Sequence, residues 1–119
     1  MSSDASSESK YSLSDAELKA AKTLTLRWAL EIILVLDKGP TRYKELSEAI
    51  PISQGVLSKR LTDLLESGVI ARDCLNPQDE RKRYLYSIHP DRVVALRKVC
   101  RAVRAYAKAE RVVSAEVEK

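Results

Sequence analysis

The sequence predicts a mainly α-helical chain with a small β-hairpin. Three observations carry this. Apolar residues recur at spacings of three and four in four separate stretches, the helical period. Near the middle, VIARDCL and RKRYLYSI are β-prone runs on either side of the turn-rich NPQD. Gly or Pro punctuates the intervals between the periodic stretches. A length of 119 residues, 45% hydrophobic and 32% charged, fits one folded domain with a single core.

Residues 1–12 are serine-rich with almost no apolar side chains, so burial cannot offset the entropy of ordering them, and a loose tail is expected. Ser14 followed by Glu17 forms a capping box. Leu18, Ala21, Leu24, Trp28, Ile32 and Leu36 then recur with helical spacing, predicting one long helix from Asp15 to about Asp37 that Gly39 and Pro40 stop. Thr41 caps a short second helix through about Ala49, with Tyr43 and Leu46 inward, and Pro51 ends it. Ser53 caps a third helix, Gln54 to about Ser67, whose apolar face is Leu57, Leu61, Leu64 and Leu65, closed by Gly68. Two short helices joined by a tight turn are the skeleton of a helix-turn-helix. In the hairpin that follows, Tyr84, Tyr86 and Ile88 share one face by period two. Pro90 suits the first turn of a final helix running to about Val117. There Leu96, Val99, Val103, Tyr106, Val113 and Val117 fall at the a and d positions of a heptad, which Glu110 interrupts.

The net charge is only +4, but its distribution is lopsided: from Arg81 to Arg111 there are ten cations, against Asp91 and Glu110 as the anions. Such asymmetry points to a polyanionic partner, nucleic acid ahead of a membrane surface. No run of 18 apolar residues and no apolar signal core occurs, so neither a membrane span nor a secretory signal is expected, and the cytoplasm is the expected compartment. Cys74 and Cys100 form no CxxC and His89 is the single histidine, which argues against a metal site or cofactor. No nucleophile motif, phosphate-binding glycine loop or paired-carboxylate signature marks an enzyme, so His89 is expected as a helix cap or packed side chain.

A helix-turn-helix followed at once by a hairpin is the winged-helix arrangement. The stretch WALEIILVLDKGPTRYKELSEAIPISQGVLSKRLTDLLESGVIAR carries its recurring pattern: Trp28 with Ile32 and Leu36, Gly39-Pro40, Tyr43 with Leu46, Ile52-Ser53, Leu57 with Arg60-Leu61, Leu64, Gly68-Val69-Ile70 and Arg72. Over residues 26–90 it resembles the winged-helix regulators of the HxlR and multiple-antibiotic-resistance groups. Its length, long terminal helices and RKRYLYS wing also resemble the small Lrp-like archaeal regulators, the biofilm regulators of Sulfolobus among them. The resemblance implies a sequence-specific DNA-binding transcription regulator, with residues 13–90 as the DNA-binding unit and residues 91–119 as a dimerisation helix. The cysteine near the start of the first helix that serves sensing in HxlR-type proteins is absent here, and no aromatic ligand pocket is evident, so redox or small-molecule sensing does not carry over.

On the third helix the arc opposite Leu57, Leu61 and Leu64 holds Gly55, Ser58, Lys59 and Thr62, with Gln54 and Arg60 on its flanks. These side chains suit the major groove: Gln pairs with adenine, Arg or Lys with guanine, Ser or Thr with base or phosphate, and Gly55 lets the backbone approach. Ser53 and the helix N-terminus can hold a phosphate, and Tyr43 and Lys44 can touch one from the preceding helix. Arg81, Lys82 and Arg83 at the hairpin tip are expected on the adjacent minor groove or its phosphates. Phosphorylation of Tyr84 or Ser87, by a protein kinase reversed by a phosphatase, would set a negative charge beside that tip. Leu18 and Leu24, with the apolar seam of the final helix, are expected to pair two copies around a two-fold axis. The recognition helices would then lie about 34 to 36 Å apart, one turn of double-stranded DNA. Two alternatives keep the fold: a winged-helix protein-interaction module, and an architectural DNA-binding protein with little sequence preference.

Overall fold

The computed structural model describes residues 12–118, with side-chain surroundings through residue 110. The expected tail, but for its last residue, lies outside the described residues, as do the side chains of Val113 and Val117. Helix α1 (Asp15–Leu24) begins at the capping box: Ser14 Oγ accepts from the Glu17 amide at 3.0 Å, and Glu17 Oε1 accepts from the Ser14 amide at 2.8 Å. The single long helix is corrected to two. α1 ends at Leu24, and α2 (Ala29–Leu36) starts only after an elbow in which Trp28 takes a left-handed φ of 73°. The Thr23 and Thr25 hydroxyls donate to the carbonyls of Lys19 and Ala21, at 3.1 and 2.6 Å, local bonds that favour bending and ending a helix. The elbow buries Ala29, Ile32, Ile33 and Leu36 of α2, whereas α1 buries nothing.

Strand β1 (Thr41–Arg42) replaces the expected helix cap at Thr41. Helix α3 (Tyr43–Ala49) starts instead from Arg42, whose amide donates to Glu45 Oε1 at 2.9 Å. Helix α4 (Gln54–Glu66) follows its Ser53 cap. Strands β2 (Ile70–Cys74) and β3 (Tyr84–Ile88) pair antiparallel from Ile70↔Ile88 to Cys74↔Tyr84, and β1 adds to the other side of β3 through Thr41↔Tyr86. The hairpin is thus part of a three-stranded sheet ordered β1-β3-β2. A single 3-10 turn, Pro90–Arg92, leads into helix α5 (Val93–Glu118), and His89 caps it by accepting from the Asp91 amide at Nδ1, 3.1 Å.

The core gathers Ile32 and Ile33 of α2, Leu46 of α3, Leu57, Leu61 and Leu64 of α4, Ile70, Tyr86 and Ile88 of the sheet, and Leu96 and Cys100 of α5. Burial, and then the nearby Asp37 carboxylate, push the Cys100 thiol upward. Asp37 also ties α5 to α2: Arg104 donates to its Oδ2 at 2.8 Å and Arg97 approaches its Oδ1 at 4.0 Å. Two of the ten clustered cations therefore serve this tether. Past Arg104 the side chains through residue 110 are all exposed. Of residues 101–110 only Val103 is half-buried, and Tyr106 is 69% exposed.

Candidate nucleic-acid interface

Helix α4 is seated by Leu57, Leu61 and Leu64, all essentially buried, which fixes what its other side presents. Gln54, Gly55, Ser58, Lys59 and Thr62 are exposed there together. Ser53 Oγ accepts from the Val56 amide at 3.4 Å as the cap. Some of these groups are already engaged. Tyr43 Oη donates to the Gln54 carbonyl at 2.8 Å and lies 3.1 Å from Ser58 Oγ, and Thr62 Oγ1 donates to the Ser58 carbonyl at 3.0 Å. Tyr43 thus braces α3 against α4. A Cβ added at Gly55 would meet open space, so nothing within the chain requires glycine at that position.

Arg60 is a correction. Its Nε donates to the Arg27 carbonyl at 2.7 Å, its Nη1 pairs with Asp63 Oδ2 at 2.6 Å, and its side chain is only 15% exposed. At about 100° per residue it falls beside Leu57 and Leu64 rather than beside Lys59. It is held on the inner flank, away from the exposed arc. Val56, one turn before Arg60 and on the same flank, is 40% exposed.

The wing loop, residues 75–83, is organised by Asn76. Its Nδ2 donates to Asp79 Oδ2 at 3.0 Å and to the Arg81 carbonyl at 2.8 Å, and its Oδ1 accepts from the Arg83 amide at 2.7 Å. Arg81, Lys82 and Arg83 consequently sit in the loop ahead of β3, not on the strand, and all three are exposed. Lys82 Nζ donates back to the Pro77 carbonyl. Tyr84 is half-buried, with the Arg72 guanidinium 4.1 Å above its ring. Ser87 is half-buried in the central strand.

Between wing, α3 and the start of α4 lies an open cleft of about 1060 Å³. Arg42, Lys44, Arg81, Lys82 and Arg83 supply its cations, and Tyr43, Gln54, Tyr84 and Tyr86 part of its walls. Arg42, which sequence reasoning overlooked, is placed there by β1, and the basic stretch TRYK was its signal. Glu45 is the carboxylate of the lining, and it is engaged with the Arg42 amide. The cleft and the exposed arc of α4 meet at Gln54. Together they offer a polyanionic strand several cations and, next to them, a helix face of base-reading size and chemistry. Leu18, 46% exposed, and Leu24, half-buried, lie on α1, well apart in sequence from the seam of α5.

A family model described as HxlR-like helix-turn-helix matches residues 23–111. The transcriptional regulator YodB of Bacillus subtilis is 37% identical over 89 residues, which span 74% of this chain and 77% of that protein. The structure of its reduced form superposes with a TM-score of 0.66 at 32% identity, covering 80% of this chain and 91% of YodB. A regulator of the MarR family from Enterococcus faecalis shares the fold at 22% identity, with a TM-score of 0.68 over 92% of this chain and 98% of its own.

Proposed function

The chain belongs to the HxlR-like helix-turn-helix family of DNA-binding transcription regulators, and on that premise we propose that it works as a homodimer on double-stranded DNA in the cytoplasm. Residues 13–90 read the DNA and residues 91–119 pair the copies. Helix α4 enters the major groove with Gln54 and Lys59 toward the bases, while Ser53, Gly55, Ser58 and Thr62 bring backbone and hydroxyls close to the strand. Arg81, Lys82 and Arg83 take the minor groove or its phosphates. The observation that carries this reading is the cationic cleft opening at Gln54 onto the exposed arc of α4. The narrower likeness to the Lrp-like archaeal regulators rests on chain length, the long terminal helices and the wing sequence, whereas the relatives described above are bacterial.

The test is anisotropy of a labelled duplex from the protein's own promoter, against a scrambled duplex, across a salt series. Preference for the promoter with a steep salt slope supports the reading. One observation favours a second reading, an architectural DNA-binding protein: the Ser58 and Thr62 hydroxyls are engaged within the chain, leaving few free base readers. Equal, salt-sensitive binding to both duplexes would select it.

Pairing is supported by the exposed apolar groups of α1 and α5, Leu18 and Tyr106 above all. Val103→Glu combined with Tyr106→Glu is expected to turn a dimer into a monomer in light scattering. Losing the second attachment should weaken promoter binding by about a hundredfold or more. A variant that stayed dimeric would remove α5 from the interface.

Phosphorylation of Tyr84 or Ser87, through a kinase and a phosphatase, is proposed as the control of the wing. Tyr84 lines the cationic cleft, so a phosphate of about −1.5 to −2 charge would compete with DNA for the same cations. Tyr84→Glu and Ser87→Glu are each expected to lower DNA affinity several-fold. Unchanged affinity at low salt would sink the idea.

A further inference from the structure

We propose that Arg60 is a positioning residue that sets the spacing between the two DNA half-sites; the inference rests on the dimeric DNA-binding reading above. Arg60 lies on the reading helix α4 but faces away from the groove. Asp63 holds one end of its guanidinium at 2.6 Å, and the other end donates to the Arg27 carbonyl at 2.7 Å. That carbonyl belongs to the elbow between α1 and α2. The next residue, Trp28, has a φ of 73°, a region that bulky side chains disfavour, so the surrounding contacts must hold it there. The Arg27 guanidinium lies 5.0 Å over the Trp28 ring.

Beyond the elbow, α1 buries no residue. Its direction is therefore set by the elbow more than by packing. Among the described residues, the bond from Arg60 is the side-chain hydrogen bond that joins α4 to this elbow. With α1 and α5 pairing the two copies, each α4 is referred to the dimer axis through its own Arg60. A planar guanidinium can hold a carboxylate and a backbone carbonyl at once in fixed directions, which a lysine ammonium, a point charge on a flexible stem, cannot do. A change at Arg60 leaves each reading surface intact and loosens the relation between the two.

The experiment starts with duplexes selected from a randomised library by the full-length wild-type protein. From the selected site a series is made with the central spacer lengthened or shortened by one and two base pairs, along with an isolated half-site. Anisotropy is measured for wild type, Arg60→Lys and Asp63→Asn, with thermal melts and light scattering alongside. The wild type should prefer its own spacing by about five- to hundredfold, the range of ordinary coupling between sites. Both variants should bring that ratio toward one while keeping dimer state, half-site affinity and salt slope. Asp63→Asn leaves the Arg27 bond in place and loosens only the staple, so it carries the test if Arg60→Lys does not fold.

Loss of half-site affinity together with a salt slope shallower by about one unit would make Arg60 a phosphate contact and overturn the inference. A lower melting temperature with spacing preference intact would make it a fold prop and overturn it equally. Wild-type binding that is indifferent to spacing would overturn the inference and leave the DNA reading standing. No wild-type binding to any duplex would overturn the reading beneath it as well.

Discussion

Replacing Arg81, Lys82 and Arg83 together with alanine is expected to flatten the salt dependence of DNA binding while leaving the fold untouched. All three side chains are exposed in a loop whose shape is fixed by Asn76 rather than by the cations themselves. Lys82 spends one of its three donors on the Pro77 carbonyl and keeps two. Each phosphate contact contributes about 0.9 to the slope of log K against log salt, so three contribute about 2.7. Between about 50 and 200 mM salt, the wild type should then lose roughly fortyfold more affinity than the triple variant. Melting should shift little, since exposed substitutions away from caps and cores usually stay within about 0.5 kcal/mol. A salt titration on the promoter duplex reads the slope directly. An unchanged slope would take the wing off the DNA and leave Arg42, Lys44 and α4 as the contact.

Leu57→Ala should have the largest effect on the protein as a whole. Leu57 is fully buried and seats helix α4, with Leu61 and Leu64, into the same core as Ile32, Ile33 and Leu46. Truncating it removes apolar contact and leaves a cavity that the surrounding helices fill only in part, a change that costs about 2 to 5 kcal/mol. Domains of this size are stable by about 5 to 15 kcal/mol, so a large fraction of the total goes. Melting should fall by roughly 10 °C or more, at about 4 to 8 °C per kcal/mol. DNA affinity should fall for promoter and scrambled duplexes alike, because the whole helix loses its seat. Gly55 makes the matched control: its added Cβ would meet open space, so Gly55→Ala should leave melting unchanged or raise it slightly. A melting shift for Leu57→Ala as small as that of the control would mean that α4 is not held by the leucine seam.

Where local chemistry decides a feature, the sequence was legible. Ser14 with Glu17 and Ser53 are caps because their own side chains satisfy nearby amides, and the leucines of α4 repeat on one face over its full length. The features that escaped depend on distant partners. Leu24, Trp28 and Ile32 are four apart, so an apolar period runs unbroken across an elbow where the backbone itself does not continue. Strand β1 has two residues, too few to alternate, and exists because β3 lies beside it. Arg60 read as a groove contact because a cation on a helix near lysine and serine looks solvent-facing; the carbonyl that captures it lies 33 residues away.

By itself the sequence determined the class of fold, the leucine-seated third helix and the basic run in the hairpin loop. Helix caps, apolar period and charge clustering act over a few residues, and their energies do not depend on what the rest of the chain does. The tertiary structure alone decided which cations are free. Arg97 and Arg104 are drawn to Asp37 and Arg60 to the elbow, whereas Arg42 joins Arg81, Lys82 and Arg83 around one cleft. Equal charges along a chain become unequal once packing brings a carboxylate or a carbonyl within bonding distance of some and leaves the others to solvent.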